Sequence, residues 1–599
     1  MNTKRFCWIL LVVLMTGCGM AGSLATARSA PLQDKIGVEN QLPFALSDVQ
    51  IDKLSQHVLW RRLLMLGDGG YAKDKNRIDT ETFFLSDDGH TNPKSELIAM
   101  LSAIAVNDQK IICRFPARTH FLKTELVKLG VNVVASDADC QEFRTWADKI
   151  DARQLSFVFA EEHGNNIASA FAHAFMRIDG DERASDERAT VMNYTVASSA
   201  DDGLIANAIK PLTGRYAGVM EILPYRVKSD DYLVKDERDL WEYRLDLTPS
   251  QVDQIMRHLW EVKDLARSYY LTHDNCATEI ARLVDVVRAD KSLLSMFGMV
   301  TTPAQAVQVL DRQGIITNTT YHPSNATKRQ AIMTNGNAFD MTAIQPNNNN
   351  PVTASPTHRL GMAVSYDERY VDKAGYHVSI RSAYQDALDN PAGVRKFHEV
   401  ILPSIDLAYQ DGKIRLNELT IFRATSLNPA NTAKAYLGGQ SQKKAWATRM
   451  QLGLKQAVDA SDEQNDTHLV ADIALQKGRS WTLGKPKAQT GDMADMVCYV
   501  LGGTGGQIGK VNQGYRMGLK FSAGCIYHQT DRWRMTGEIE VPYWYHKDDA
   551  GRSSYVQPEL KLGAQYDLSR YHALRATASI QKNHSQNNHA VKFQILRYF

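Results

Sequence analysis

The sequence predicts three folded parts in series: a small α-helical domain, an α+β domain, and an all-β antiparallel barrel of about twelve strands. Three observations carry this. Apolar residues recur at helical spacing between Ile51 and Ala105, strand and helix signals mix from about 154 to 325, and almost no helical pattern remains after His358. The boundaries read from these changes are 40–150, 154–325 and 358–599, with 326–357 as a linker.

Ahead of the first domain, Lys4 and Arg5 precede an apolar run from Phe6 to Met15, the pattern of an export signal. Cleavage near Ala27 would make residues 1–27 a signal peptide. Gly17-Cys18 offers a lipobox-like alternative. Either route takes the chain out of the cytoplasm, where disulfides are permitted. In the helical domain, Leu54, Val58, Leu59, Leu63 and Leu64 form one apolar stripe; Leu97, Met100, Leu101 and Ile104 form another. Cys113 and Cys140 lie just beyond and are candidates for a disulfide, worth about 3 kcal/mol for a loop of that length.

The middle domain reads as strands at Leu155–Ala160, His173–Ile178 and Thr190–Val196, followed by a strongly signalled helix. Thr248 is its N-cap, Pro249 takes the first helical position and Gln251 completes a capping box. The linker Gln345–Pro356, with four consecutive Asn, has no periodicity. Beyond it, alternating stretches such as Val400–Tyr409, Arg516–Tyr527 and Thr536–Tyr545 are separated by turn signals such as Asp411-Gly412. Their spacing of about 20 residues for each strand and its loop fits an up-and-down transmembrane barrel of the outer-membrane type. Phe599, ending the last stretch, supports that assignment. The segment Gly502–Lys510 has the wrong spacing for a phosphate-binding loop and reads as a barrel loop.

A formal charge of +2 gives no global basis for nucleic-acid binding. Neither CxxC nor HExxH occurs, so the common zinc motifs are absent and no metal is expected. The best-placed reactive group is Cys276 in His273-Asp274-Asn275-Cys276-Ala277, at the start of an apolar-striped helix. A thiol there meets free N–H groups and the positive end of the helix dipole, which predicts a lowered pKa. His173, at the mouth of a strand, is the candidate base. Asn193 on the next strand is the candidate group to orient its ring.

Phe171–Ile178, Tyr269-Tyr270 and Asn275-Cys276, in this order, resemble the periplasmic domain of the Lnb-type lipoprotein N-acyltransferase family. Cys113–Arg118, Leu240–Tyr243 and Asp389–Gly393 extend the resemblance over most of the chain. That family is similar to the circularly permuted papain-like enzymes, including NlpC-type proteins, in which a His precedes the Cys. The resemblance implies Cys276 as nucleophile and His173 as base, with no cofactor. Ser169, Asn275 and Tyr270 are candidates to line the substrate or hold an oxyanion. It further implies phospholipid and lipoprotein substrates at the periplasmic face of the outer membrane. Two alternatives stay open: an amidase acting on peptidoglycan stem peptides, and a barrel whose periplasmic domain only binds. One position departs from the pattern, Ala172, where the family carries Gly.

Overall fold

The computed structural model describes residues 44–599 except 67–77, 79–80, 135–136, 163–170, 181–185, 198–209, 212, 299, 337–338, 431–445, 461–465, 512–513, 547–553 and 584–586. The signal-peptide assignment and the candidate Ser169 lie outside the described residues.

Helices Asp48–Ser55, Val58–Leu63, Pro93–Ala105, Gln109–Arg114, Pro116–Lys128 and Gln141–Ile150 build the N-terminal part. Its polar centre is Arg118, fully buried beneath Phe83 and Phe115, whose rings lie 4.2 and 4.1 Å from the guanidinium carbon. The same guanidinium donates to Glu96 at 2.7 Å and faces Glu261 at 3.7 Å. Glu261 also accepts the main-chain N–H groups of Ala117 and Arg118. Because Glu261 belongs to the helix Pro249–Val262, this buried charge ties the helical part to the middle domain. Cys113 and Cys140 are disulfide-bonded.

Seven strands form the middle sheet: β1 (Gln154–Ala160), β2 (His173–Asp179), β3 (Thr190–Val196), β4 (Tyr216–Pro224), β5 (Leu240–Leu245), β6 (Arg267–Tyr269) and β7 (Ile316–His322). All pairings are antiparallel, in the order β6-β4-β3-β2-β1-β5-β7. The helix Pro249–Val262 starts with the expected capping box, in which Thr248 and Gln251 satisfy each other's main-chain donors. One face of the sheet packs under the helices through Ala174, Met176, Met192 and Tyr194. On the other, Phe175, Val191, Tyr225 and Tyr232 make a separate small core.

Past the middle domain, helix Asn325–Asn335 occupies the start of what the sequence reads as linker. The remainder is docked rather than free. Asn347 and Asn349 are buried, the former donating to Asp239 at 2.9 Å and the latter to Glu161 at 3.2 Å.

Strands β8 (Arg359–Asp367) through β20 (Asn587–Tyr598) form one antiparallel sheet that closes on itself as a twelve-stranded barrel. The short β17 (Ser554–Val556) is an added piece on β16 (Trp533–Tyr545). Closure leaves no unpaired edge, which a sheet in lipid requires. The side chains alternate as a membrane barrel demands. On β15 (Tyr515–His528), Met517, Leu519 and Phe521 are exposed on the outer wall, while Arg516, Lys520 and Ser522 are buried inside. Phe593 and Ile595 on the last strand face outward, and Phe599 beyond it is also exposed. The interior is filled by ion pairs such as Arg449–Glu538 at 2.7 Å and Lys520–Glu540 at 3.1 Å.

One expectation fails here. Gly502–Gly509 is not a loop but the second half of β14 (Met496–Gly509). A Cβ on Gly503 would fall 1.9 Å from the Leu475 carbonyl oxygen and one on Gly505 would strike the Lys520 stem, so these glycines let neighbouring strands and an interior lysine pack closely. A glycine run therefore reads as a loop although sterics keep it a strand. The sheet also carries an unanticipated cross-strand disulfide, Cys498–Cys525.

Candidate functional site

Cys276 is the first residue of helix Cys276–Asp285, and it is the free cysteine among the described residues. Asn275 caps this helix. Its Oδ1 accepts from the N–H groups of Ala277 and Thr278, while its Nδ2 donates to the carbonyls of Leu271 and Thr301. With both ends of its amide engaged, Asn275 holds the start of the Cys276 helix in place. The helix packs across β2 and β3, which brings its N-terminus to the first residues of β2.

The surroundings of the thiol overturn the expectation of a lowered pKa. The Ala174 main chain, the Tyr269 hydroxyl and the first N–H groups of the helix favour the anion, but burial outweighs them and pushes the Cys276 thiol up. Only 3% of the residue is exposed, so the dipole argument, sound for a solvated helix end, loses to desolvation. Tyr269, not the anticipated Tyr270, is the tyrosine whose hydroxyl neighbours the Cys276 thiol. Tyr270 instead stacks on His273 at 4.6 Å and bridges to Asp274. Alternation along β6, with Arg267 and Tyr269 both buried, is the signal that would have chosen between the neighbours.

His173 opens β2, and its Nε2 lies 2.7 Å from Asn193 Oδ1. Asn193 Nδ2 donates in turn to Glu221 Oε2 at 2.7 Å. A carboxylate accepts only, so it fixes the amide with Oδ1 toward the ring; His173 Nε2–H is then the donor, and Nδ1 is left as the basic nitrogen. The imidazole stacks on Tyr232 with centroids 6.0 Å apart. Burial lowers its pKa to about 4, which keeps the ring neutral and able to accept a proton near pH 7. Sequence reasoning chose Asn193 but missed Glu221, a lone acid on β4 opposite Asn193 in the register. The Ala174 main chain beside the thiol follows His173 directly in sequence, so Cys276 and His173 both belong to the start of β2. Ala172 turns its methyl into the helix-covered core, away from the face that carries His173.

Arg238 braces this strand end. It is buried, and it donates to the carbonyls of Glu161 (2.6 Å), Ala160 (3.2 Å) and Phe171 (3.4 Å). The ends of β1 and the approach to β2 are thereby pinned to one guanidinium.

Residues 142–313 match the family described as the Lnb N-terminal periplasmic domain. That stretch is similar to an Lnb-type periplasmic domain. Residues 52–125 and 348–598 match two families described as domains of unknown function, DUF7843 and DUF7840. No curated protein matches the chain. Among solved structures, the chain is similar to a loop-deletion form of OmpT, an outer membrane protein of Vibrio cholerae, at 10% identity over 40% of this chain and 97% of that one, with a TM-score of 0.18. It is also similar to Omp33 of Acinetobacter baumannii, at 8% identity over 41% and 98% with a TM-score of 0.20.

The Lnb-type domain lies in the periplasm and the barrel in the outer membrane. Domain and barrel meet along a polar seam. Arg395, in the turn between β9 (Ala374–Gln385) and β10 (His398–Gln410), faces Glu161 at 3.5 Å, and the Gly393 N–H donates to the Asn348 carbonyl at 2.7 Å. Gly393 has φ +76°, and a Cβ there would collide with Ala354, so the Asp389–Gly393 segment serves docking. Asp389 joins Arg359, Arg381, Arg575 and the Tyr598 hydroxyl in an ion cluster that fills the periplasmic end of the barrel.

Proposed function

We propose that this protein is a cysteine-dependent acyltransferase working at the periplasmic face of the outer membrane, taking an acyl group from phospholipid and passing it to a lipoprotein N-terminal amine. The observation that carries the reading is the His173–Asn193–Glu221 relay at the start of β2, with Cys276 at the start of the helix packed on that strand. Cys276 Sγ attacks the ester carbonyl as His173 Nδ1 takes the thiol proton. The carbon–sulfur bond forms, the ester carbon–oxygen bond breaks, and the lysophospholipid alkoxide leaves with that proton. The amine then attacks the thioester, the amide forms, and the Cys276 thiol is restored. Tyr269 O–H and the Cys276 N–H, both beside the thiol, are the donors for the oxyanion in both steps.

Because both groups rest neutral, proton transfer accompanies attack instead of preceding it. An apolar setting that disfavours charge suits a lipid ester better than a water-borne peptide, and the domain is held against a membrane barrel. This favours acyl transfer over the stem-peptide amidase reading. The test is to incubate the purified full-length protein with phospholipid vesicles and a synthetic S-diacylglyceryl-cysteine peptide. N-acylated peptide and lysophospholipid should appear in equal amounts, and neither should form with Cys276→Ala. Release of stem-peptide fragments from peptidoglycan without acyl transfer would replace the proposal with the amidase.

A further inference from the structure

Phe171, two residues ahead of His173, packs outside the main core of the middle domain, against Val300 of that domain and residues of the barrel. It inserts into the periplasmic mouth of the barrel, in a cluster with Ala383, Tyr384, Val400, Leu402 and Phe422. Its ring lies 5.4 Å from that of Tyr384, edge to face, and 6.0 Å from that of Phe422. Leu271, one residue past Tyr270, packs on the same cluster. This apolar patch adjoins a lumen that also carries paired charges.

Tyr384 reaches this patch by breaking the rule of its own strand. Along β9, Tyr376, Val378 and Ile380 are exposed on the outer wall, while Gly375, His377, Ser379, Arg381 and Ala383 are buried. Continued alternation would send Tyr384 outward, where an aromatic at the rim of a membrane barrel is ordinary. Instead its backbone has φ +62°, a left-handed conformation disfavoured for a bulky side chain by about 1–2 kcal/mol, and the residue is buried. Such strain persists where surrounding contacts hold it, and it concentrates at functional sites. The patch borders the start of the Cys276 helix: Asn275 Nδ2 donates to the carbonyls of Leu271, which packs on this cluster, and of Thr301, next to its Val300.

We infer that the barrel completes the active site, with Tyr384 and Phe171 as a roof over Cys276 that must part to admit an acyl chain and that sets the bulk of the acyl group reaching the thiol. This rests on the acyl-transfer reading for the identity of the substrate, but the roof itself is tested without turnover. In this account Tyr384 is a positioning and specificity residue. Its edge-to-face contact with Phe171 holds the roof shut, and the apolar mouth of the lumen receives the chain when it opens.

The experiment measures alkylation of Cys276 in the full-length protein in detergent, by iodoacetamide and by the bulkier N-pyrenylmaleimide, reading the Cys276 peptide by mass spectrometry. A roof closed for all but about a tenth of the time suppresses reaction about tenfold. Tyr384→Ala should therefore react about tenfold faster with the bulky reagent and show a smaller gain with iodoacetamide. Tyr384→Phe, which keeps the ring, should react as the unaltered protein does. Phe422→Ala, on the far side of Phe171, should share the effect, and Tyr376→Ala on the outer wall should not. Heat-dependent mobility in SDS reports that each barrel is folded. Equal rates for Tyr384→Ala and the unaltered protein with both reagents, in folded barrels, overturn the inference. A second arm compares phospholipids of graded chain length: Tyr384→Ala should shift the preferred donor toward bulkier chains. Gated alkylation with no acyl on Cys276 from any donor would keep the roof and remove the acyl-transfer reading instead.

Discussion

At the residue scale, the pairing of a buried thiol with a buried imidazole makes two predictions. Cys276→Ala and His173→Ala should each lower acyl transfer by at least about 10³-fold, with the double variant no worse, because the two act as one unit. Asn193→Ala should cost less, about 10–100-fold, the range found when a partner that orients a functional imidazole is removed. Single-turnover acylation rates check all three. The second prediction concerns pH. Burial raises the Cys276 thiol, so its anion forms only above the ordinary thiol value of about 8.5. Iodoacetamide reactivity of the substrate-free protein should keep climbing beyond pH 8.5. A plateau reached near pH 7 would mean a thiolate stabilised at rest and would refute the neutral-pair description. The placement of Cys276, His173 and Asn193 was readable from sequence, since each sits at a local signal: a helix start, a strand mouth and a polar residue among apolar ones. Glu221 and Tyr384 were not, because what recruits them is strand register and domain docking, which have no local mark.

At the element scale, the buried ion cluster around Arg118 decides how the helical part meets the middle domain. Removing Arg118 would leave the Glu96 and Glu261 carboxylates buried without their partner. Arg118→Met should therefore destabilise this region by about 3–5 kcal/mol, and Arg118→Lys should recover only part of that because one ammonium cannot serve both acids and the Phe83 carbonyl. Hydrogen exchange of the helices Pro93–Ala105 and Pro116–Lys128 measures the loss; unchanged protection would show that the cluster is not what joins the two parts. The Cys113–Arg118 segment is thus structural, and nothing in its composition announced that. Elements with strong end signals were legible almost to the residue. The Thr248 capping box started its helix where expected, and Thr190–Val196 formed the strand read from its alternation. The linker was misjudged in part because an Asn-rich stretch looks the same whether its amides face water or buried Asp239 and Glu161.

At the scale of the whole molecule, a closed wall with an apolar outside and a charged inside should resist detergent. The full-length protein should fractionate with outer membranes and run faster in SDS unheated than boiled; recovery as a soluble periplasmic protein with no heat shift would contradict the barrel. The barrel was legible because alternation repeats over some twelve strands, while its role at the active site was not, since that depends on one tyrosine leaving the alternation. The lumen carries ion pairs, and the Asp386–Asp389 cluster lies at its periplasmic end. The central claim, that Cys276 carries an acyl group taken from lipid, is tested most directly by its mass. Full-length protein incubated with phospholipid and no amine acceptor, then digested, should yield the Cys276 peptide heavier by one fatty acyl group, removable by neutral hydroxylamine and absent in His173→Ala. An unmodified Cys276 peptide from folded protein given both phospholipid and time would contradict it.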